Sequence, residues 1–401
     1  MLFRSGCVPF AGNQIPAARI DPIARAFLTR VPLPNGAGTV QNLRAVGKQR
    51  ADMDQFSIRV DHRLTPQDQL FGRFTVYDVS DEQPFGTSVL NETLVPGFGR
   101  DVTTTSRNVA VGYLRPFGTT LFNELRVGFL RVGGGQFSQN RGVDFAGAAG
   151  LQGVTHDPRD VGFPQVSFAG LFNTVGDPTN FTTRRNDSVE IYENVLMERD
   201  PHTIKFGGYL FHLEFRPESP DNARGSFAFT GQFTGNAFAD FLLGYPTNAI
   251  AGTGRAEEDG RTTWTHFFVQ DDWRVLPNLT LNLGLRTEVN QHITDTRNRL
   301  SSIDLNYPGG RFVIASDENG NIAPEAAPLL SLIPIPRVTS QQAGWNRSLL
   351  RPGYKRFAPR AGFVWRATDD GATVVRGAFG DRKSTRLNSS HVSESRMPSS
   401  A

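Results

Sequence analysis

A single cysteine, Cys7, means that no internal disulfide framework can hold this chain together. No run approaches the ~20 apolar residues that a membrane-crossing helix requires. There is no useful excess of charge either. The 42 basic and 39 acidic side chains include four bases and two acids in residues 381–401, leaving 38 against 37, so the composition gives no argument for a nucleic-acid partner. None of the seven histidines stands at the spacing of a zinc motif such as HExxH, and no GxSxG nucleophile elbow occurs. The glycine runs at 133–135 and 252–254 lack the strand-turn-helix setting of a phosphate loop. These absences assign no catalytic, cofactor or metal residue, and the expectation is a protein that is not an enzyme.

What the chain does have is alternation. Leu279, Leu281, Leu283, Leu285 and Val289 alternate with Thr280, Asn282, Gly284, Arg286 and Glu288. A period of two places the first set on one face of a strand and the second on the other. Residues 265–273 form a matching run, and Val275 to Asn278 make a short turn between the two. Four further hairpins repeat this plan, with turns near residues 66, 117, 200 and 369, where Pro, Asp and Gly preset turn dihedrals. In the third hairpin the apolar phase slips near Gly207 and Gly208, which predicts a β-bulge.

Between the hairpins lie long polar connections at about 79–103, 133–183, 216–260 and 291–354. Short turns at one end and long loops at the other are the pattern of an outer-membrane barrel. Each strand there needs only ~9–11 residues with every second one apolar, so a hydrophobic content of 38% is compatible with membrane insertion. The 31 Phe and 41 Gly suit lipid-facing rings and crowded lumen positions. The predicted fold class is all-β: a partial antiparallel transmembrane β-barrel of about ten strands in five hairpins.

Three segments follow. Residues 1–50 read as an irregular Pro/Gly-rich lead-in with one helix over 22–30, and residues 51–380 as the barrel wall. Residues 381–401 can be written codon by codon as a common short-read sequencing adapter and are set aside from fold reasoning. An outer-membrane protein needs an apolar leader, and none begins this chain. Together these features predict a piece of a longer protein, truncated at both ends.

Loops carry binding on rigid scaffolds. The expected ligand contacts are Phe163, Phe168, Phe172 and Asn173 in the second connection, with Tyr307, Trp345 and Asn346 in the fourth. Arg59, Asp61, Arg63, Asn282, Arg286 and Glu288 are expected to face the lumen. HDPRD at 156–160 and DENGN at 317–321 read as solvated polar turns, the latter lacking the downstream Glu of a calcium loop.

Several blocks carry a resemblance. FAPRAGFVW at 357–365, TVVRGAFG at 373–380, DQFSIRVDH at 54–62, GNAFADFLLG at 235–244, FVQDDW at 268–273 and GNQIPAARIDP at 12–22 together resemble Oar-like TonB-dependent outer-membrane transporters. That family combines an amino-terminal sandwich, a plug and a 22-stranded barrel. The blocks spread over most of residues 6–380, but neither a sandwich nor a complete plug is recognisable. The resemblance implies a plugged pore in the bacterial outer membrane that imports a ligand, driven by the inner-membrane energy-transducing complex. An adhesive or structural surface protein that does not transport is the alternative. A soluble carbohydrate-binding sandwich is a third reading, in which the apolar rows would pack against one another.

Overall fold

The computed structural model describes residues 10–38, 42–85, 95–170, 172–178, 182–252, 255–350 and 355–381. Ten long strands form one sheet: β1 (Arg50–Arg63), β2 (Gln69–Gln83), β3 (Arg100–Phe117), β4 (Leu121–Ser138), β5 (Thr183–Arg199), β6 (His202–Ser219), β7 (Gly260–Leu276), β8 (Leu279–Asn290), β9 (Lys355–Arg366) and β10 (Val374–Gly380). They pair in chain order, each antiparallel to the next. The five short turns therefore lie at one end and the four long connections at the other, as the hairpin pattern predicts. The sheet is open: among the described residues β1 and β10 each pair along one side.

Register fixes which side chains share a face, because directly opposed residues point the same way. Leu283 lies opposite Asp271 and Ala361, and Leu285 opposite Val269 and Pro359. Val269 continues to Phe206, and Phe206 to Val195. Followed across the sheet, one face carries Ile58, Phe74, Val109, Val111, Val127, Phe129, Ile191, Phe206, Phe267, Leu285 and Phe363. Most of these are exposed, as a surface that meets lipid would be. On β4 the band runs from Leu121 to Phe129 and ends at Arg131. From Leu121 to Phe129 that is about 27 Å of strand, or about 20 Å of height at a ~40° tilt, close to the ~25 Å apolar band of a barrel wall. Tyr113, Trp273 and Trp365 share this face near the short turns, where an interfacial aromatic girdle belongs. Two acids interrupt the band. Glu193 is bonded by Asn123, and Asp271 lies 2.7 Å from His202 Nδ1.

The bulge predicted at Gly207 and Gly208 is absent. Pairing there is continuous on both sides, with Gly207 opposite Asn194 and Phe268, and Gly208 opposite Glu193 and Phe267. The apparent slip has another cause. Above the band the exposed face becomes polar (His212, Glu214, Arg216), while Phe211, Leu213 and Phe215 occupy the opposite face, so polarity switches sides without a change of register.

The long connections build a cap with its own core. Helix α1 (Pro22–Leu28) starts where expected: Pro22 opens it, and the Asp21 carboxylate accepts from Ile23 N at 2.8 Å and Ala24 N at 3.0 Å. Helix α2 (Phe145–Ala149) and helix α3 (Ala237–Leu242) are capped likewise by Asp144 and Asn236. Phe27 of α1 packs against Phe98, Phe145, Phe163 and Phe241, drawn from three different connections. A second, smaller core around Val313, Ala315 and Leu349 closes the fourth connection on itself.

Candidate functional site: a loop-lined cleft above the polar face

Three of the connections enclose an open cleft of about 1070 Å³. Its walls hold Asp157, Arg159 and Asp160 from the second connection, Arg255 and Glu258 from the third, and Arg297, Arg299 and Glu325 from the fourth. Pro217 and Ser219, at the loop end of β6, also line it, and register gives both to the polar face of the sheet.

The charged walls are built, not loose. Arg255 Nη1 lies 3.2 Å from Asp160 Oδ1 and its Nη2 lies 3.0 Å from Glu218 Oε2. Behind them Arg224 donates from Nε to the Asp160 carbonyl at 2.8 Å and from Nη1 to Pro178 O at 3.2 Å. Asp177 accepts from Phe163 N and Asn140 Nδ2, each at 2.8 Å. Burial raises the Asp160 and Asp177 carboxyls above the ordinary range, though nearby arginines oppose it. Burial also brings Arg224 down to about 10 against the pull of Asp177 and Asp160. On the facing wall the fully buried Asp295 accepts from Arg299 Nη2 at 2.8 Å, which fixes that guanidinium at the cleft edge. Glu258 is raised by burial, with Asp295 adding to it.

The expected ligand contacts are distributed differently. Phe163 and Phe168 are 2% and 5% exposed and belong to the cap core, so neither ring offers a face to a ligand. Phe172 and Asn173 supply backbone to the short strand Phe172–Val175, and their side chains lie outside the described residues. Trp345 packs on the second core, and Asn346 Oδ1 accepts from Ser348 N at 3.1 Å. Tyr307 is exposed, with the Arg311 guanidinium 4.7 Å from its ring centroid. HDPRD is a solvated turn only in part. Asp157 is half-buried and held down to about 2 by Arg159, whereas Asp160 is buried against Arg224 and Arg255. In DENGN, Asp317 folds back to accept from Asn319 N and Asn321 N.

All six residues expected in the lumen share the polar face. Arg59 pairs with Asp61 at 2.6 Å and lies 4.3 Å from the Phe71 ring centroid, and Arg63 follows on the same face. Asn282 donates to Asp272 at 2.5 Å, and Arg286 pairs with Glu288 at 2.7 Å. Arg286 Nη2 also lies 3.0 Å from His266 Nδ1, so Nδ1 accepts and Nε2 donates to Asn290 Oδ1 at 2.7 Å. Sequence reasoning missed the aromatic neighbours of this cluster. Tyr209 stands opposite both Tyr192 and His266, Phe211 opposite Trp264, and Phe268 opposite Arg286. Tyr192, Tyr209, Trp264, His266, Phe268 and Arg286 line a pocket of about 440 Å³ on the polar face. Their even-odd phase was the available signal.

An open meander with a lipid-type apolar face, a polar opposite face and a loop-built cap defines an outer-membrane β-barrel wall. The comparisons agree: residues 4–398 match the outer membrane beta barrel domain family, and the chain belongs to it. The protein is therefore located in the outer membrane. Similar solved structures include FpvA of P. aeruginosa bound to heterologous pyoverdines (11% identity, 80% of this chain and 34% of that one, TM-score 0.40). The copper transporter OprC (9%, 83% and 36%, 0.40) and BauA, the ferric preacinetobactin receptor of Acinetobacter baumannii (10%, 83% and 39%, 0.39), are also similar. The chain thus spans between a third and two fifths of the length of these structures. No curated protein sequence matches it.

Proposed function

We propose that this chain is wall and cap of an Oar-like TonB-dependent receptor, which captures a ligand in the cleft and passes it down the polar face. In this reading the polar face is the lumen, a plug elsewhere in the full-length protein gates it, and the inner-membrane energy-transducing complex drives passage. The observation that carries the reading is the cleft itself. It has buried, cross-linked charges from three separate connections, and it meets the polar face at the loop end of β6. Burying and cross-bonding arginines costs desolvation energy, and a shielding loop has no need to incur it. Fixed donors and acceptors of both signs suit a polar ligand carrying both kinds of group.

Uptake by the full-length protein, with and without the inner-membrane complex, tests this reading in Arg255→Ala and Arg299→Ala variants. Loss of uptake with normal heat-modifiable migration supports it. Normal uptake in both variants removes the cleft from the pathway. Ligand retention that never depends on the inner-membrane complex favours a non-transporting surface protein.

A further inference from the structure

The lipid-side face holds one acid at mid-depth. Glu193 of β5 stands directly opposite Leu125, the middle of the apolar band that runs from Leu121 to Phe129 on β4. Ile191 and Val195 flank it on its own strand, and Phe206 and Leu210 lie diagonally across β6. The Asn123 amide, on the same face, donates to Glu193 Oε1. Among the described residues no other group bonds to that carboxyl, so its Oε2 and the Asn123 carbonyl oxygen have no partner. One of the two Asn123 amide hydrogens is likewise unused.

The second acid on this face is placed differently. Asp271 has His202 Nδ1 at 2.7 Å and lies two residues from Trp273, in the girdle near the short turns, where interfacial water reaches. Glu193 has no such access. On the same face, no acid occurs between Phe56 and Val60, between Phe74 and Leu70, between Val109 and Tyr113, or from Leu279 to Leu285. Ionisable side chains at membrane depth are costly and turn toward a protein partner or a wet cavity, and register turns Glu193 away from the polar face. We infer that the lipid-side face around Glu193, on β4–β6, is the contact surface for a second copy of this protein, with a two-fold axis beside Leu125 and Glu193. A two-fold contact must be self-complementary, and the Asn123–Glu193 pair offers a free donor together with free acceptors. Asn123 of one copy donates to the partner's Glu193, and the symmetry returns the bond. Val127, Ile191, Phe206 and Leu210, all exposed, supply apolar packing around it. The contact rests only on which face is outward, and it stands whether or not the protein transports.

The test uses full-length protein, first in its native membrane and then in phosphatidylethanolamine–phosphatidylglycerol vesicles. In a background without other cysteines, Leu125→Cys should be joined to a second copy by a short bifunctional thiol reagent. Phe74→Cys, on the same face of β2, should not. Energy transfer between labelled copies, followed as the protein is diluted in lipid, gives the dimer's strength. Glu193→Leu should assemble at least as well as the parent and dimerise about tenfold more weakly, the usual worth of two symmetry-related hydrogen bonds between membrane segments. Glu193→Gln keeps an acceptor oxygen and should retain the dimer. If Glu193→Leu does not assemble, as judged by heat-modifiable migration, Asn123→Leu replaces it with the same expectation. A parent that stays monomeric at every dilution, or an unchanged dimer in Glu193→Leu or its replacement, would overturn the assignment. So would cross-linking of Leu125→Cys only to a different protein, which would mark the face as a site for another partner.

Discussion

Asp160 and Arg255 meet at 3.2 Å in the wall of the cleft and tie the second long connection to the third. Neither connection holds this geometry alone. Removing the cation leaves a buried carboxylate facing Arg224 only from behind, and breaking a buried pair costs about 3–5 kcal/mol. Arg255→Ala should therefore raise hydrogen exchange in residues 155–160 and 220–223 while leaving the β3–β6 amides protected. Uniform exchange in the variant and the parent would show that the pair does not hold the cleft.

The same wall gives a pH dependence with a defined sign. Asp160 and Asp177 have folded pKa values raised by burial, so the folded cap prefers them protonated. Their contribution is least favourable above the raised values. It improves as pH falls through them toward the ordinary carboxylate value of about 3.9, and is flat below that. Asp157, held at about 2 by Arg159, acts oppositely: its contribution is intact above the ordinary value and is lost as pH falls toward 2. Carbon-13 carboxyl titration should find Asp177 above the ordinary midpoint and Asp157 below it. The reverse order would refute the burial argument.

Phe163 was expected to stack on a ligand and instead joins Phe27, Phe98 and Phe145. Phe27→Ala and Phe163→Ala should each destabilise the cap by about 3–5 kcal/mol, the usual cost of emptying a buried ring site. Limited proteolysis of the connections should read this, with heat-modifiable migration of the wall unchanged. Deleting 139–182 should have a similar effect, since it strips rings from that core. Deleting 291–354, which carries its own core, should not.

Two glycines on the polar face separate close packing from open space. A Cβ on Gly207 would fall 2.0 Å from the Glu193 carbonyl oxygen, whereas at Gly284 the nearest atom is 3.6 Å away. Gly207→Ala should reduce barrel assembly by about 1–3 kcal/mol, and Gly284→Ala should be nearly neutral. Denaturant titration of both variants decides it, and equal midpoints would count against the β5–β6 register.

Leu283 lies within the apolar band, flanked by Asp271 and Ala361. Leu283→Arg should cost roughly 2–4 kcal/mol near the bilayer midplane. Folding into vesicles as well as the parent does would reverse the assignment of the two faces.

The alternation of Leu279 to Leu285 and the short turns determined the strands, their order and their two faces. Period two and a tight turn are local properties, and each residue's neighbours in sequence fix them. The bulge misread at Gly207 marks the limit of that logic. The switch from Leu210 to Phe211 reflects where the membrane ends, and nothing local to β6 encodes that height. Of the cap, only the helix that opens at Pro22 was legible. Phe27, Phe98, Phe163 and Phe241 come from segments far apart in sequence, without shared periodicity, and only their convergence shows that they are core. The cleft followed from the same convergence: Asp160, Arg255 and Arg299 became a site because packing elsewhere placed them together and took them out of water.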